Sequence, residues 1–150
     1  MHKLKRVLRL PLAQKGLLLE TLALLALARV AVLLLPFRWV ARVMGKQEAQ
    51  TPVQYDPGKA RHVRRIAVMV HKTSRNVPWT SKCLDQAIAA KIMLARRGIP
   101  TTVYFGVRND EKGRLAAHAW LRSGTRYVTG GASRSRFTII NSFADARVQA

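Results

Sequence analysis

Between Leu17 and Leu35 the chain is apolar at all but three positions, Glu20, Thr21 and Arg29, and Pro36 stops the run. So long an apolar stretch has two physical outlets: a bilayer, or a protein core. A spanning helix needs about 20 apolar residues, so the length suffices. Its ten leucines each favour insertion by roughly 0.3–0.6 kcal/mol, against about 2.5–3.5 kcal/mol for a central arginine such as Arg29. Insertion is therefore open on energy. Orientation is not signalled, because basic residues flank both ends: Lys3, Lys5, Arg6, Arg9 and Lys15 before, Arg38 and Arg42 after. No small-residue cleavage site follows, which argues against a signal peptide. The preferred expectation is a leucine-rich helix packed on the domain, with Glu20 and Arg29 near its surface and with peripheral membrane contact.

The remaining chain sorts into helices and then strands. Pro36 to Gly45 continues as a short amphipathic helix, with Gly45 as the residue just past its end. Lys46 to Gly58 is polar, contains Pro52 and Pro57, and reads as a linker. Lys59 to Lys72 spaces Val63, Ile66, Ala67 and Val70 as one helical face, with Arg61, Arg64 and Arg65 outside and His62 and His71 on the surface. Ser74 to Pro78 is a turn. An apolar run from Leu84 to Ala95 is a helix stopped by Gly98. Pro100 to Val107 is rich in β-branched and aromatic residues and reads as a strand, as do Leu115 to Leu121 and Arg126 to Thr129. Ala132 to Arg136 is loop, and Phe137 to Ile140 is a short strand or an extended tail. The sum is α+β, N-terminal helices followed by a small antiparallel sheet. Its parts are a helical region 1–45, a linker 46–58 and a main domain 59–150.

Charge narrows the partners less than it first promises. Lys and Arg number 27 against 7 acids, a net charge of +20. Such an excess favours anionic partners. The cations are scattered, however, with no arginine-rich block, zinc-finger spacing or RNA-binding aromatic signature, so nucleic acid is not the expected ligand. The single cysteine excludes an internal disulfide and a multi-cysteine metal site. A reducing, cytoplasmic setting fits, with or without membrane association.

That cysteine is well placed for chemistry. Trp79-Thr80-Ser81-Lys82-Cys83-Leu84 follows Pro78 and precedes the apolar run. The pattern marks a helix start with Thr80 or Ser81 as the N-cap. Cys83 then sits in the first turn, where free backbone N–H groups and the positive end of the helix dipole stabilise a thiolate. Lys82 adds a charge beside it. The bland reading is a small buried hydrophobe. A second stretch, Leu115-Ala116-Ala117-His118-Ala119-Trp120-Leu121, carries a histidine on a strand 35 residues later. Alone it would be structural; with a helix-start cysteine it supplies the other half of a thiolate–imidazolium pair.

The ordered set Ser81-Lys82-Cys83-Leu84-Asp85-Gln86-Ala87, Leu94-Ala95-Arg96-Arg97-Gly98-Ile99-Pro100, Phe105-Gly106-Val107 and Ala117-His118-Ala119-Trp120-Leu121 resembles the lasso-peptide maturation protease family. Leu35-Pro36-Phe37-Arg38 resembles that family's N-terminal region. The resemblance covers nearly the whole chain. It implies a transglutaminase-like, papain-like fold and a cysteine peptidase, the stand-alone protease half of the B protein. Such an enzyme removes the leader from a ribosomally made precursor peptide, with no cofactor. By position it makes Cys83 the nucleophile, His118 the base and later acid, and the Cys83 backbone N–H an oxyanion donor. It also implies a separate leader-recognition protein, for which this chain has no spare domain, and a lasso cyclase that acts next. One position departs from the pattern. The fold orients its histidine with an Asp about a dozen residues on, and Tyr127 to Gly131 holds no carboxylate. Asn141 or Asp145 would then serve, since papain-like enzymes use Asn there; Thr129 or a backbone carbonyl is a further option. The rival readings are a non-catalytic scaffold of the same fold, a basic membrane-associated or nucleic-acid-binding protein, and a true transglutaminase using the same residues.

Overall fold

Leucine and alanine dominate the N-terminal third, and proline and glycine cut it into helices. In a computed structural model, which describes residues 2–54 and 56–145, helix α1 covers His2–Leu8 and α2 covers Leu12–Leu34. Leu35 is extended ahead of Pro36, whose ring disfavours helical geometry in the residue before it, and α2 ends there. Helix α3, Phe37–Met44, ends at Gly45, whose φ of 107° suits a residue without a Cβ. Helix α4 runs Pro57–Ser74; the Asp56 carboxylate accepts from the Gly58 N–H at 2.9 Å and Pro57 fills the first turn. Helix α5, Cys83–Ala95, is apolar nearly all round and buried on most sides. It lies between α2 and α4 on one side and the sheet on the other.

The long apolar run is packed, with its charges paired to the neighbouring helix and turn. Thr21, Leu25 and Ala28 are buried. The Glu20 carboxylate meets Arg97 Nη2 at 2.7 Å and Arg96 Nη1 at 3.0 Å. Arg29 Nη1 lies 3.6 Å from Asp85 Oδ2. Glu20 and Arg29 are half-buried near the surface, their side chains 14% and 20% exposed, because α5 and the turn after it offer them partners.

The sheet has five antiparallel strands in the order β1-β5-β2-β3-β4. They are β1 Lys46–Gln47, β2 Thr102–Asn109, β3 Leu115–Ser123, β4 Arg126–Thr129 and β5 Thr138–Ala144. Strand β5, expected as a short end piece, is instead an interior strand between β1 and β2, with a register shift at Phe105/Gly106. A 3-10 turn, Gly131–Arg136, leads into it. The last residues assigned to the main domain, 146–150, lie outside the described residues.

The expected linker is part of the fold in its first half. Its Lys46 and Gln47 pair with Ala144 and Phe143, and Ala49 and Thr51 are buried. Thr51 N–H donates to Thr102 Oγ1 at 2.8 Å, Tyr104 Oη donates to Gln50 Oε1 at 2.8 Å, and Arg122 Nη2 donates to the Thr51 carbonyl at 2.8 Å. Polar side chains, rather than apolar periodicity, hold this strap down.

Alternation along β2 and β3 divides the sheet. Val103 and Leu121 face the helices and join one core with Phe143, Ala87, Ala90 and Leu94. Tyr104, His118, Trp120 and Arg122 leave the opposite face, which the strap crosses.

Candidate active site

Cys83 is the first residue of α5, half-buried and with a free thiol. The cap is not the expected Thr80 or Ser81. Lys82, extended at φ −85° and ψ 169°, occupies the cap position. Its own N–H donates to Asp85 Oδ2 at 2.9 Å. Asp85 thus reaches back from the first turn and does from within the helix what a hydroxyl would have done from outside it. The Cys83 N–H keeps no acceptor among the described residues, the usual condition of a first-turn donor. In the turn entering the helix, Trp79 Nε1 and Ser81 Oγ are also buried without hydrogen-bond partners. The opening of α5 therefore holds several unspent donors close together in the chain.

His118 is held from three sides. Its Nε2 lies 2.8 Å from the Gly130 carbonyl oxygen and 3.1 Å from Ser133 Oγ. A carbonyl only accepts, so Nε2 carries the proton; the tautomer is assigned from that bond. Nδ1 then presents a lone pair, and it has no hydrogen-bond partner among the described residues. The ring stacks on Trp120 at 5.7 Å and on Phe137 at 5.0 Å. Trp120 stacks in turn on Tyr104 at 5.8 Å. Arg122 covers the Tyr104 ring at 5.8 Å and Arg108 covers Phe137 at 5.2 Å. Gly106 makes room for this row of rings: a Cβ there would lie 2.8 Å from both Phe137 Cβ and Trp120 Cη2.

Topology brings the two halves to one end of the layer. The turn after α5 feeds β2, β3 returns antiparallel to β2, and β3 therefore runs parallel to α5. Ser123 Oγ donates to the Pro100 carbonyl at 3.1 Å and ties β3 to the far end of that turn. At about 1.5 Å per helical residue and about 3.3 Å per strand residue, Cys83 to Ala95 and His118 to Ser123 span similar lengths, about 18 and 17 Å. Cys83 and His118 so fall at the same end. Strand β4 pairs with β3 only from Leu121 onward, which leaves the β3 edge at His118 to Gly130 and the 3-10 turn. No hydrogen bond joins the Cys83 thiol to His118 in this structure. Alternation sends the ring from the face opposite Leu121, and its ring nitrogen is engaged by Gly130. Catalytic hydrogen bonds are often long or unformed before substrate binds.

Neither expected third residue partners the histidine. Asn141 Oδ1 accepts from the Ser142 N–H at 2.8 Å, a bond within its own strand. Asp145 Oδ1 pairs with the buried Lys91 Nζ at 2.8 Å, and its Oδ2 accepts from the Thr101 N–H at 3.2 Å. Asp145 is spent neutralising a lysine that is 2% exposed. The group that orients His118 is the Gly130 carbonyl, a backbone atom that no side-chain pattern reveals. Gly130 has φ 66°, and a Cβ there would lie 2.6 Å from the Ala119 carbonyl oxygen and 3.0 Å from His118 Nε2. Only glycine allows the carbonyl this approach.

A helix that opens on a cysteine, packed on an antiparallel sheet that bears a histidine on its third strand, can now be set beside known families. The model of the transglutaminase-like superfamily, Transglut_core3, matches residues 31–142. The chain belongs to the transglutaminase-like superfamily. The match takes in Cys83 and His118, the helix α3, the strap and the sheet up to Ser142 in β5. No curated protein and no solved structure matches the chain. The transglutaminase-like superfamily includes cysteine peptidases, and its domain is typically a cysteine protease or transferase fold. Among the described residues no cluster of His, Cys, Asp or Glu has the arrangement of a metal site.

Proposed function

We propose that this transglutaminase-like domain is a cysteine peptidase that removes the leader from a ribosomally made lasso-peptide precursor. The observation that carries the catalytic part is the state of His118. Its Nε2 proton is committed to the Gly130 carbonyl and its Nδ1 lone pair is left free. The ring leaves the sheet face away from α5, at the strand end where α5 opens, and on this reading it turns to reach Cys83. The ordered motifs around Cys83, Gly98-Ile99-Pro100 and His118 support the choice of precursor.

In this reading Nδ1 takes the Cys83 thiol proton. Sγ adds to the carbonyl carbon of the leader–core bond, and the oxyanion meets the free Cys83 N–H at the helix start. Collapse breaks the C–N bond, and His118 returns its proton to the leaving amine. Water, deprotonated at Nδ1, then attacks the thioester and frees the leader as a carboxylic acid. The Gly130 carbonyl and the stacked Trp120 and Phe137 faces hold the ring before substrate binds, and the ring turns towards Cys83 for the transfer. A separate protein holds the leader, and a cyclase uses the newly freed amine. The reaction is assigned to the cytoplasmic side, where such precursors are made.

The test is cleavage of the precursor by the purified chain with its recognition protein. Cys83→Ala and His118→Ala each abolish cleavage, a loss of about a thousandfold or more. Cleavage that survives Cys83→Ala removes the nucleophile from this reading. The second reading is a scaffold without catalysis, favoured by the missing carboxylate and the unformed thiol–imidazole bond. Iodoacetamide separates the two: an activated Cys83 is alkylated well below pH 8, an inert one is not.

A further inference from the structure

The helix α2 carries its polarity inside out. Its solvent stripe is Leu12, Gly16, Leu19, Ala23, Leu27, Val30 and Leu34, spaced by three or four residues, and every member is apolar. Leu12, Leu19, Leu27, Val30 and Leu34 are 52–85% exposed. The charges Glu20 and Arg29 lie off this stripe, half-buried, and are paired with Arg96, Arg97 and Asp85 of the domain. A helix that rests on a soluble core shows the reverse arrangement. The apolar surface continues over Leu33 and Leu35 onto α3, where Phe37, Trp39 and Val43 are about half exposed. A contiguous apolar surface of this kind marks an interaction site.

Cations bracket the stripe. Lys3, Lys5, Arg6 and Arg9 line one surface concavity beside the start of α2, and Arg38 and Arg42 lie exposed just beyond its end. Arg42 covers the Trp39 ring at 5.4 Å. An apolar stripe bordered by cations, with an indole at its margin, fits a bilayer interface that carries anionic headgroups.

We propose that the outer face of α2, extended by α3, seats the protein in the interface of an anionic bilayer with the helix parallel to the surface. The helix does not cross the bilayer. Crossing would pull Thr21, Leu25 and Ala28 out of contact with the domain and break the Glu20 and Arg29 pairs. The inference rests on exposure and charge and is independent of the peptidase reading.

The test floats the full chain with vesicles of phosphatidylcholine containing phosphatidylglycerol and with vesicles of phosphatidylcholine alone. The wild type partitions to the anionic vesicles, less so as salt rises, and carbonate at high pH releases it. Leu19→Asp with Leu27→Asp weakens partitioning about tenfold or more, since both side chains face solvent and the inner contacts remain. Lys5→Glu with Arg6→Glu, in the exposed helix α1, weakens it similarly on anionic vesicles only. Circular dichroism checks that each variant is folded. A folded wild type that stays with the soluble fraction overturns the proposal. Retention through carbonate replaces it with a spanning helix. A dimer that the leucine substitutions split, with no vesicle binding, assigns the stripe to a second copy of the chain.

Discussion

On the helix side of the sheet, Val103, Leu121 and Phe143 share one apolar core with α5, and at its end the buried Lys91 of α5 donates to Thr101 Oγ1 at 3.1 Å and to Asp145 Oδ1 at 2.8 Å. On the other side, residues one position out of phase form a row of rings, Tyr104, Trp120, His118 and Phe137, capped by Arg122 and Arg108. The same two strands supply both faces, and a shift of one residue would exchange them. The packed face fixes where α5 stands and therefore where Cys83 begins. The ring face fixes how His118 is turned. Stability is concentrated on the first and chemical orientation on the second.

Substitutions that strike one face only test this division. Leu121→Ala leaves a cavity against α5 and costs about 2–5 kcal/mol by denaturant unfolding, while the protein that remains folded keeps its rate of Cys83 alkylation. An equal loss of alkylation would show that the faces are not separable. Gly106→Ala drives a methyl into Trp120 and Phe137. It costs about 1–3 kcal/mol by overpacking, and it slows precursor cleavage more than Leu121→Ala does. Ser133→Ala removes one contact to His118 Nε2 and leaves the Gly130 bond. A net hydrogen bond of about 0.5–1.5 kcal/mol corresponds to a cleavage rate about two- to tenfold lower, with unfolding unchanged within error. An unchanged rate would assign the whole orienting role to the Gly130 carbonyl.

The smallest effect lies away from both faces. Hydrogen bonding from Arg97, aided by the charges of Arg97 and Arg96, holds the Glu20 carboxyl below its ordinary value against the opposing effect of burial. A lowered native value means that the pair stabilises the fold above the ordinary carboxylate range and loses that contribution as pH falls through the native value. Glu20→Gln therefore costs about 1 kcal/mol at neutral pH and progressively less in acid. A pH-independent difference would deny the ion pair any part in holding α2.

The helix start at Cys83 and the strand at His118 were legible because each is announced locally, by Pro78 ahead of an apolar run and by alternation between two turns. What escaped was settled by groups that carry no local signal. The cap of α5 comes from Asp85 inside the helix, so the hydroxyls at Thr80 and Ser81 misled. The interior place of β5 was hidden by Asn141 and Ser142, polar residues at which pattern reading stops, and by a register shift in its partner. The strap at 46–52 is anchored by Gln50 and Thr51, which read as linker. The backbone carbonyl offered as an alternative orienting group for His118 is the one found, but which carbonyl it is, that of Gly130, is marked only by a glycine. On α2 the apolar residues run all the way round, so nothing in their spacing told the inner face from the outer; only the pairing of Glu20 and Arg29 did.

The row of rings has a spectroscopic consequence. An imidazole stacked between the indole of Trp120 and the phenyl of Phe137 lies in the magnetic shadow of both. Its carbon-bound protons resonate away from those of the other histidines, of which His62 and His71 stand exposed on α4. The residue assigned to carry the reaction's proton thus bears its own reporter. Its signal would record, without any label, the moment a peptide slides against the sheet or the ring turns towards Cys83.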